Sequence, residues 1–366
     1  MFKGEIIKGY KILQDFTTAG GGLSKWTFAE KDGKVYFMKE FLSPKYPTET
    51  APGSPASKER KRKECEKFEN HHRTLMEQIN EKCGIGGNLV FTLDFFRSGS
   101  TYYKVTEKID VASLSTQEVY RLPLAGKILI LKTIAHSLNI LHKAGIVHGD
   151  LKPDNVLIKQ TRTNFYTTKL IDFDNSYFSG KPPEIHEEMV GDMVFYSPEL
   201  ARYIQGREKP ENLTTKSDIF ALGLLYCIYL QGDLPDFPKK FPYACLAANE
   251  GKELKLVDAR LPNKLKKMVN QMLHYEPNQR PDAEEIFDLL KNLDLKKETE
   301  LEKLEKEPRK SYVETYWESK DKETVKAESD AKSSTLKMSF HKKDEEEKNL
   351  EEKSKLKGKG LKILKK

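Results

Sequence analysis

Cysteine is scarce in this 366-residue chain, and the four that occur, Cys65, Cys83, Cys227 and Cys245, are scattered. None forms a C-x-x-C pair, which argues against a disulfide framework or a zinc knuckle. They read as reduced thiols, and a cytoplasmic location is the expectation. The first ten residues, Met1 to Tyr10, lack the apolar core of a secretion signal. Long apolar runs are missing as well. The best, Ile219 to Leu230, is 12 residues, short of the roughly 18 needed to span a bilayer, and predicts a buried helix. His71-His72 beside Cys65 lacks a metal-ligand pattern and reads as a helix-surface pair. No internal repeat is present.

Charge is what the chain has in excess. A third of its residues are charged, with a net formal charge of +7. From Leu295 to Lys366 there are 21 Lys/Arg and 17 Asp/Glu, so +4 of the +7 sits in this tail and the preceding residues are only mildly basic. Lys and Glu alternate there with sparse Leu, and the chain closes on seven lysines from Lys353 to Lys366. Such a composition buries little apolar surface and predicts a disordered or transiently helical tail over 295–366. A solubilising role is expected for the lysines, with contact to nucleic acid or anionic lipid left open.

Before the tail, two patterns succeed each other. Tyr10 to Phe41 alternates apolar and polar residues around Gly20-Gly21-Gly22 and Asp32-Gly33, which predicts an antiparallel meander with a tight hairpin. Ser43 to Ser57 carries four prolines and reads as a loop. A helix is predicted over roughly Lys58–Lys82, with Phe68, Leu75, Met76 and Ile79 on one face, then strands over Asn88–Phe96 and Thr101–Lys108. Beyond Leu122 helical periodicity dominates: Lys127–Ala144, Ser217–Leu230, Pro262–His274 and Ala283–Asn292.

Charged residues with chemical potential fall at ordered intervals along this frame. Val35-Tyr36-Phe37-Met38-Lys39 ends a strand on a lysine. His148-Gly149-Asp150-Leu151-Lys152-Pro153-Asp154-Asn155 joins two carboxylates, a lysine and an amide in one loop. Asp172-Phe173-Asp174 follows a short strand pair, Val156–Ile158 with Lys169–Ile171. Ser197-Pro198-Glu199, Asp218-Ile219-Phe220-Ala221-Leu222-Gly223 and Arg280-Pro281 come after it.

In this order, over residues 8–294, the motifs resemble those of the protein kinase superfamily, serine/threonine type, and look closer to its soluble bacterial members. The resemblance implies an α+β, two-lobed fold: an N-lobe over about 8–108 with a five-stranded antiparallel sheet and one helix, and a helical C-lobe over about 109–294. It implies ATP and Mg²⁺ as cofactors and a protein Ser or Thr hydroxyl as substrate. Asp150 would be the catalytic base and Lys152 its charge-neutralising neighbour. Asn155 and Asp172 would hold the metal, and Lys39 the ATP phosphates. A helix glutamate should pair with Lys39. Glu64, Glu66, Glu69 and Glu77 compete, and Glu69 is favoured. Gly20, Gly21 and Gly22 would cover the phosphates, although Lys25 and Thr27 stand where the family's pattern has its third Gly and its Val. Thr106 would be the gatekeeper and Glu107 to Ile109 the adenine-binding hinge. Glu199 and Arg280 would form a buried ion pair, and Asp218 would brace the catalytic loop.

Three departures stand out. Gly149 replaces the Arg that pairs with activation-loop phosphate. Asp174 replaces the Gly of D-F-G. Asp192 replaces a Thr that bonds the catalytic Asp and Lys. Gly180 to Phe195 also contains no Ser, Thr or Tyr but does contain Glu184, Glu187, Glu188 and Asp192, so an activation loop that orders without phosphorylation is expected. The departures keep two alternatives in view: a nucleotide-binding scaffold without catalysis, and a kinase-fold transferase with another substrate.

Overall fold

The computed structural model describes residues 2–18, 24–83, 88–109, 113–162, 165–184 and 192–293. Gly20 to Gly22 and the charged tail lie outside these.

The N-terminal part is one antiparallel sheet and one long helix. Its strands are β1 (Ile6–Ile7), β2 (Tyr10–Ile12), β3 (Ser24–Lys31) and β4 (Lys34–Phe41); helix α1 (Pro55–Cys83) precedes β5 (Thr92–Ser98) and β6 (Thr101–Glu107). Their order is β1-β2-β3-β4-β6-β5. The sheet therefore has six strands where five were expected, because the two-residue β1 is too short to leave a pattern. Asp32 and Gly33 turn β3 into β4 with φ of 52° and 72°, the pair of positive angles that a two-residue hairpin with matching twist requires.

Strand alternation sorts the sheet into two faces. Ile12, Ala29, Met38, Tyr103 and Val105 form a buried cluster on one. The other carries Phe41, Phe95 and Tyr102, packed with Cys65, Phe68 and Met76 of α1. Helix α1 starts three residues earlier than the periodicity suggests, with Pro55 in its first turn, where no backbone donor is needed. His72 belongs to its buried stripe with Cys65, Leu75 and Ile79. That corrects the expected surface pair: the His72 ring stacks on Phe95 at 5.0 Å and lies against Phe68 and Phe41.

The second part is mainly helical. It runs through α2 (Thr116–Arg121), α3 (Leu124–Lys143), β7 (Ile146–Val147), β8 (Val156–Arg162), β9 (Phe165–Leu170), β10 (Tyr177–Phe178), α4 (Pro198–Ile204), α5 (Lys216–Gln231), α6 (Ala244–Asn249), α7 (Asn263–Met272) and α8 (Ala283–Lys291). Ser115 and Glu118 close a capping box on α2, and Asp282 and Glu285 another on α8. Helix α5 is buried from Ser217 to Leu230, as its unbroken apolar run requires. Among the described residues α3, and not the Ile219–Leu230 stretch, is the one helix long and apolar enough to cross a membrane. Most of its apolar residues, among them Ile128, Ile130, Leu131, Ile134 and Leu138, are buried within the fold.

Two small strand pairs position the loops that matter. β7 pairs with β10, and β8 with β9. Val156 lies opposite Leu170. Asn155, just before β8, is thus brought beside the segment leaving β9, and the Ile171 N–H donates to the Asn155 carbonyl at 3.0 Å.

Candidate active site

Asp150 stands in the loop after β7, and its carboxylate is held by two donors. Lys152 Nζ donates to Oδ2 at 2.9 Å and Asn155 Nδ2 at 3.0 Å; the same Asn155 nitrogen reaches the Asp150 carbonyl at 2.7 Å. The loop is braced from α5: Asp218 accepts the His148 N–H at 2.7 Å and the Gly149 N–H at 3.0 Å, and pairs with His142 Nε2 at 2.9 Å. His148 Nε2 meets the Ile171 carbonyl at 3.1 Å, and its ring packs on Phe173. The bracing expected of Asp218 is present.

Gly149 is explained by its backbone. It has φ +80°, and a Cβ there would sit 2.2 Å from the Asn175 carbonyl oxygen. Neither an arginine nor an alanine fits without moving the segment after Phe173. We expect Gly149→Ala to destabilise the fold by at least about 2 kcal/mol, from left-handed strain plus the clash, read as a lowered urea midpoint. Gly149→Arg, which would reinstate the family's residue, should fare worse. A wild-type midpoint for Gly149→Ala would contradict the close approach.

Asp172 follows β9 by two residues and takes φ +61°, unusual for a residue with a side chain. Lys39 Nζ, from β4, bridges to both of its oxygens at 3.0 and 2.9 Å. A second carboxylate is closer: Asp174 Oδ2 lies 2.6 Å from Lys39 Nζ, and its other oxygen accepts from Lys104 Nζ of β6. Burial alone would lower the Lys39 pKa, but the Asp174 and Asp172 carboxylates outweigh it and raise it. Burial would likewise raise Asp174, and Lys104 and Lys39 hold it well below the usual carboxylate range.

This arrangement corrects the Glu69 expectation. Glu69 does not meet Lys39; its Oε1 accepts from both Nε and Nη2 of Arg73, one turn along α1, at 3.1 and 2.8 Å. The α1 side chain that feels the cluster is His72. Burial drives its pKa down to about 3 against the pull of Asp174, with Lys104, His71 and Lys39 adding to the fall. His72 is therefore neutral at physiological pH. A group depressed from 6.5 to about 3 in the fold favours the native state above pH 6.5, and that advantage is lost as pH falls toward 3. We expect stability to drop by about 2 kcal/mol between pH 7 and 5, with the neighbouring His71, also lowered by burial, acting in the same direction. Urea titrations of the wild type and His72→Phe at both pH values check this. An equal drop in the variant would remove His72 as the source.

The sheet face that carries Lys39 is aromatic toward the hairpin. Trp26 lies opposite Lys39, and Phe28 opposite Phe37. Trp26 stacks on Phe37 at 5.5 Å. Thr27 points the other way, fully buried, with its hydroxyl donating to the Gln14 carbonyl at 2.7 Å. The valine position assigned to Thr27 is thus off by one residue, and in a strand one residue changes the face. Lys25 lies across from Glu40. Thr106 pairs with Phe37 on the same face. Beyond it, Glu107 binds Lys169 through its side chain, Lys108 sits over the Phe28 ring, and Ile109 is half-buried.

Farther down, Glu199 and Arg280 form the expected buried pair. The guanidinium donates to both carboxylate oxygens at 2.7 and 2.8 Å, and Ser217 Oγ donates at 2.9 Å. Asp192 uses Oδ1 to accept the Val194 N–H at 3.1 Å, so this departure caps the turn over Met193–Phe195. All four cysteines are free.

Comparison with known proteins agrees with this geometry. The model of the protein kinase domain matches residues 53–289. The chain belongs to the protein kinase family. Calcium-dependent protein kinase 27 of Arabidopsis thaliana is 25% identical over 298 residues, 77% of this chain and 54% of that protein. The ovarian-specific serine/threonine-protein kinase Lok of Drosophila melanogaster is 31% identical over 159 residues, 42% of this chain and 32% of that protein. Serine/threonine-protein kinase Pkn1 of Myxococcus xanthus is 30% identical over 152 residues, 40% and 21% respectively. The kinase thus spans about half the length of the first relative and less of the other two. Two of these three relatives are serine/threonine-protein kinases by name.

The donor set fits a magnesium ion bound with nucleotide. Asp172 and the Asn155 amide supply hard oxygen atoms, and among the described residues no group of three His, Cys, Asp or Glu could hold a metal. Few protein ligands beside phosphate and water is how Mg²⁺ is commonly held.

Proposed function

We propose that this kinase transfers the γ-phosphate of ATP to serine or threonine hydroxyls of a protein. The convergence of Asp150, Lys152, Asn155, Asp172 and Lys39 supports this reading above all. In it, Asp150 orients the acceptor hydroxyl and takes its proton through Oδ1 or Oδ2. Lys152, already on that carboxylate, offsets charge on the transferred group. Lys39 holds the phosphates, and Thr106 with Glu107 to Ile109 lines the base. Asn155 and Asp172 would hold Mg²⁺, which, when bound, neutralises phosphate charge. Transfer then depends chiefly on alignment and fixed charges.

The active arrangement in this reading does not depend on activation-loop phosphate. Gly149 leaves no arginine to receive one, residues 180–195 offer no hydroxyl, and Glu184 already meets Lys67 of α1 at 3.6 Å. Cytoplasmic residence is part of the proposal, supported by the free thiols.

One incubation tests the reaction: the protein, Mg²⁺, a generic protein substrate, and ATP labelled at the γ or the α position. Label from γ alone supports the proposal, before and after phosphatase treatment. Label from α would mean nucleotidyl transfer, and nucleotide bound without transfer would mean a scaffold. Loss of most activity on phosphatase treatment would overturn the independence from phosphorylation.

A further inference from the structure

Lys39 and Lys104 face each other across β4 and β6. Like charges directly opposite on a sheet repel, and both side chains are nearly enclosed, at 12% and 7% exposure. Such a pair persists only with an anion between them. Asp174 is that anion: one oxygen takes Lys39 at 2.6 Å and the other takes Lys104. With Asp172, the cluster holds two positive and two negative charges.

Asp172 is the only one of the two carboxylates with a second task, since the proposed function gives it to the metal. When it turns to that task, Lys39 keeps Asp174 as its anchor. Two lysines then share one carboxylate, and a single net positive charge remains beneath the sheet where an anionic phosphate would arrive. Among the described residues no carboxylate of helix α1 pairs with either lysine; Glu69 is occupied by Arg73.

We infer that Asp174, backed by Lys104, is the positioning residue that holds Lys39 for nucleotide, so that the anchor lies within the sheet and the segment after β9 and not on helix α1. This rests on the reading that Lys39 receives ATP phosphates. It assigns a shared task to two residues that otherwise look like unrelated oddities: an acid where the family has glycine, and a lysine in the middle of Tyr102-Tyr103-Lys104-Val105.

The test is nucleotide affinity, measured by calorimetry with Mg-ATP well below each variant's unfolding temperature. Asp174→Asn should weaken binding by at least about tenfold and raise the KM for ATP. The double variant Asp174→Asn with Lys104→Met removes the opposing lysine and should recover at least about a third of the lost factor on a logarithmic scale. Glu69→Ala should bind within about twofold of wild type, since a rim ion pair between exposed groups is worth little. The double variant also guards against misfolding of the single one, because it contains no unbalanced lysine pair. Wild-type affinity in Asp174→Asn, even with a lowered unfolding midpoint, would reduce Asp174 to a structural residue and overturn the inference alone. So would a loss in Glu69→Ala equal to that in Asp174→Asn, or a double variant no better than the single. A wild type that binds no Mg-ATP would overturn the proposed function and the inference with it.

Discussion

Replacing Asp150 by asparagine is expected to lower kcat for phosphoryl transfer by about 10²–10⁴-fold, the range for loss of a general base. The substitution keeps the size of the side chain but removes its charge and presents an amide to the two donors now on the carboxylate, Lys152 and Asn155. The nucleotide contacts proposed for Lys39 and Asp172 involve other elements, so the KM for ATP should change by no more than a few-fold. The loop should also hold, because its brace is Asp218 on backbone N–H groups and not the Asp150 side chain. Steady-state kinetics with circular dichroism separate the outcomes. Transfer within about tenfold of wild type would remove Asp150 from the role of base.

The largest stability effect is expected at Arg280. Its guanidinium is fully enclosed and donates to Glu199, to the Lys216 and Tyr275 carbonyls and, through Nε, to the His274 carbonyl. Burial would raise the Glu199 pKa, and Arg280 reverses that and keeps it lowered. Arg280→Met leaves this carboxylate buried without its countercharge, with the Ser217 hydroxyl and the Glu199 N–H still donating to it, which should cost about 3–5 kcal/mol. Glu199→Leu combined with Arg280→Met removes the stranded charge and should recover part of the loss, though the three carbonyls still lack their donor. Chemical denaturation of the single and double variants measures the difference. A double variant less stable than Arg280→Met would show that packing, not the stranded charge, sets the cost.

The parts of the site that were legible in the sequence are those whose residues lie close together in the chain. The run from His148 to Asn155 carries its own geometry, since two donors and a carboxylate within six residues of one loop can only meet each other. The partner of Lys39 was not legible that way. On a helix as rich in charge as α1, the apolar stripe fixes which face is buried but not which glutamate ends beside the sheet, and Glu69 is one position out of phase with Phe68 and His72. The actual partner, Asp174, is 135 residues away along the chain. A signal existed in Lys104, a charged residue at a strand position flanked by Tyr103 and Val105, which calls for a buried anion from elsewhere. The hairpin faces were misread for a different reason: alternation by twos gives no warning when the register is wrong by one, and Trp26 and Phe28 are as compatible with a buried face as Thr27 is. The short elements β1, α2, α4 and α6 span two to seven residues, too few for a period to show.

The charge cluster also bears on which inhibitors would bind. Thr106 and Lys104 are two residues apart on β6 and share a face. A compound lying against the hinge proposed at Glu107 to Ile109 and extending an aromatic ring past Thr106 would enter the space of Lys104, Lys39 and Asp174. Where that space is apolar, such a ring gains affinity by burial. Here it would have to part a buried ion pair, at a cost of about 3–5 kcal/mol, more than most rings recover. Ligands selective for this kinase should instead carry a compact acidic group at that end, placed to take over one lysine from Asp174.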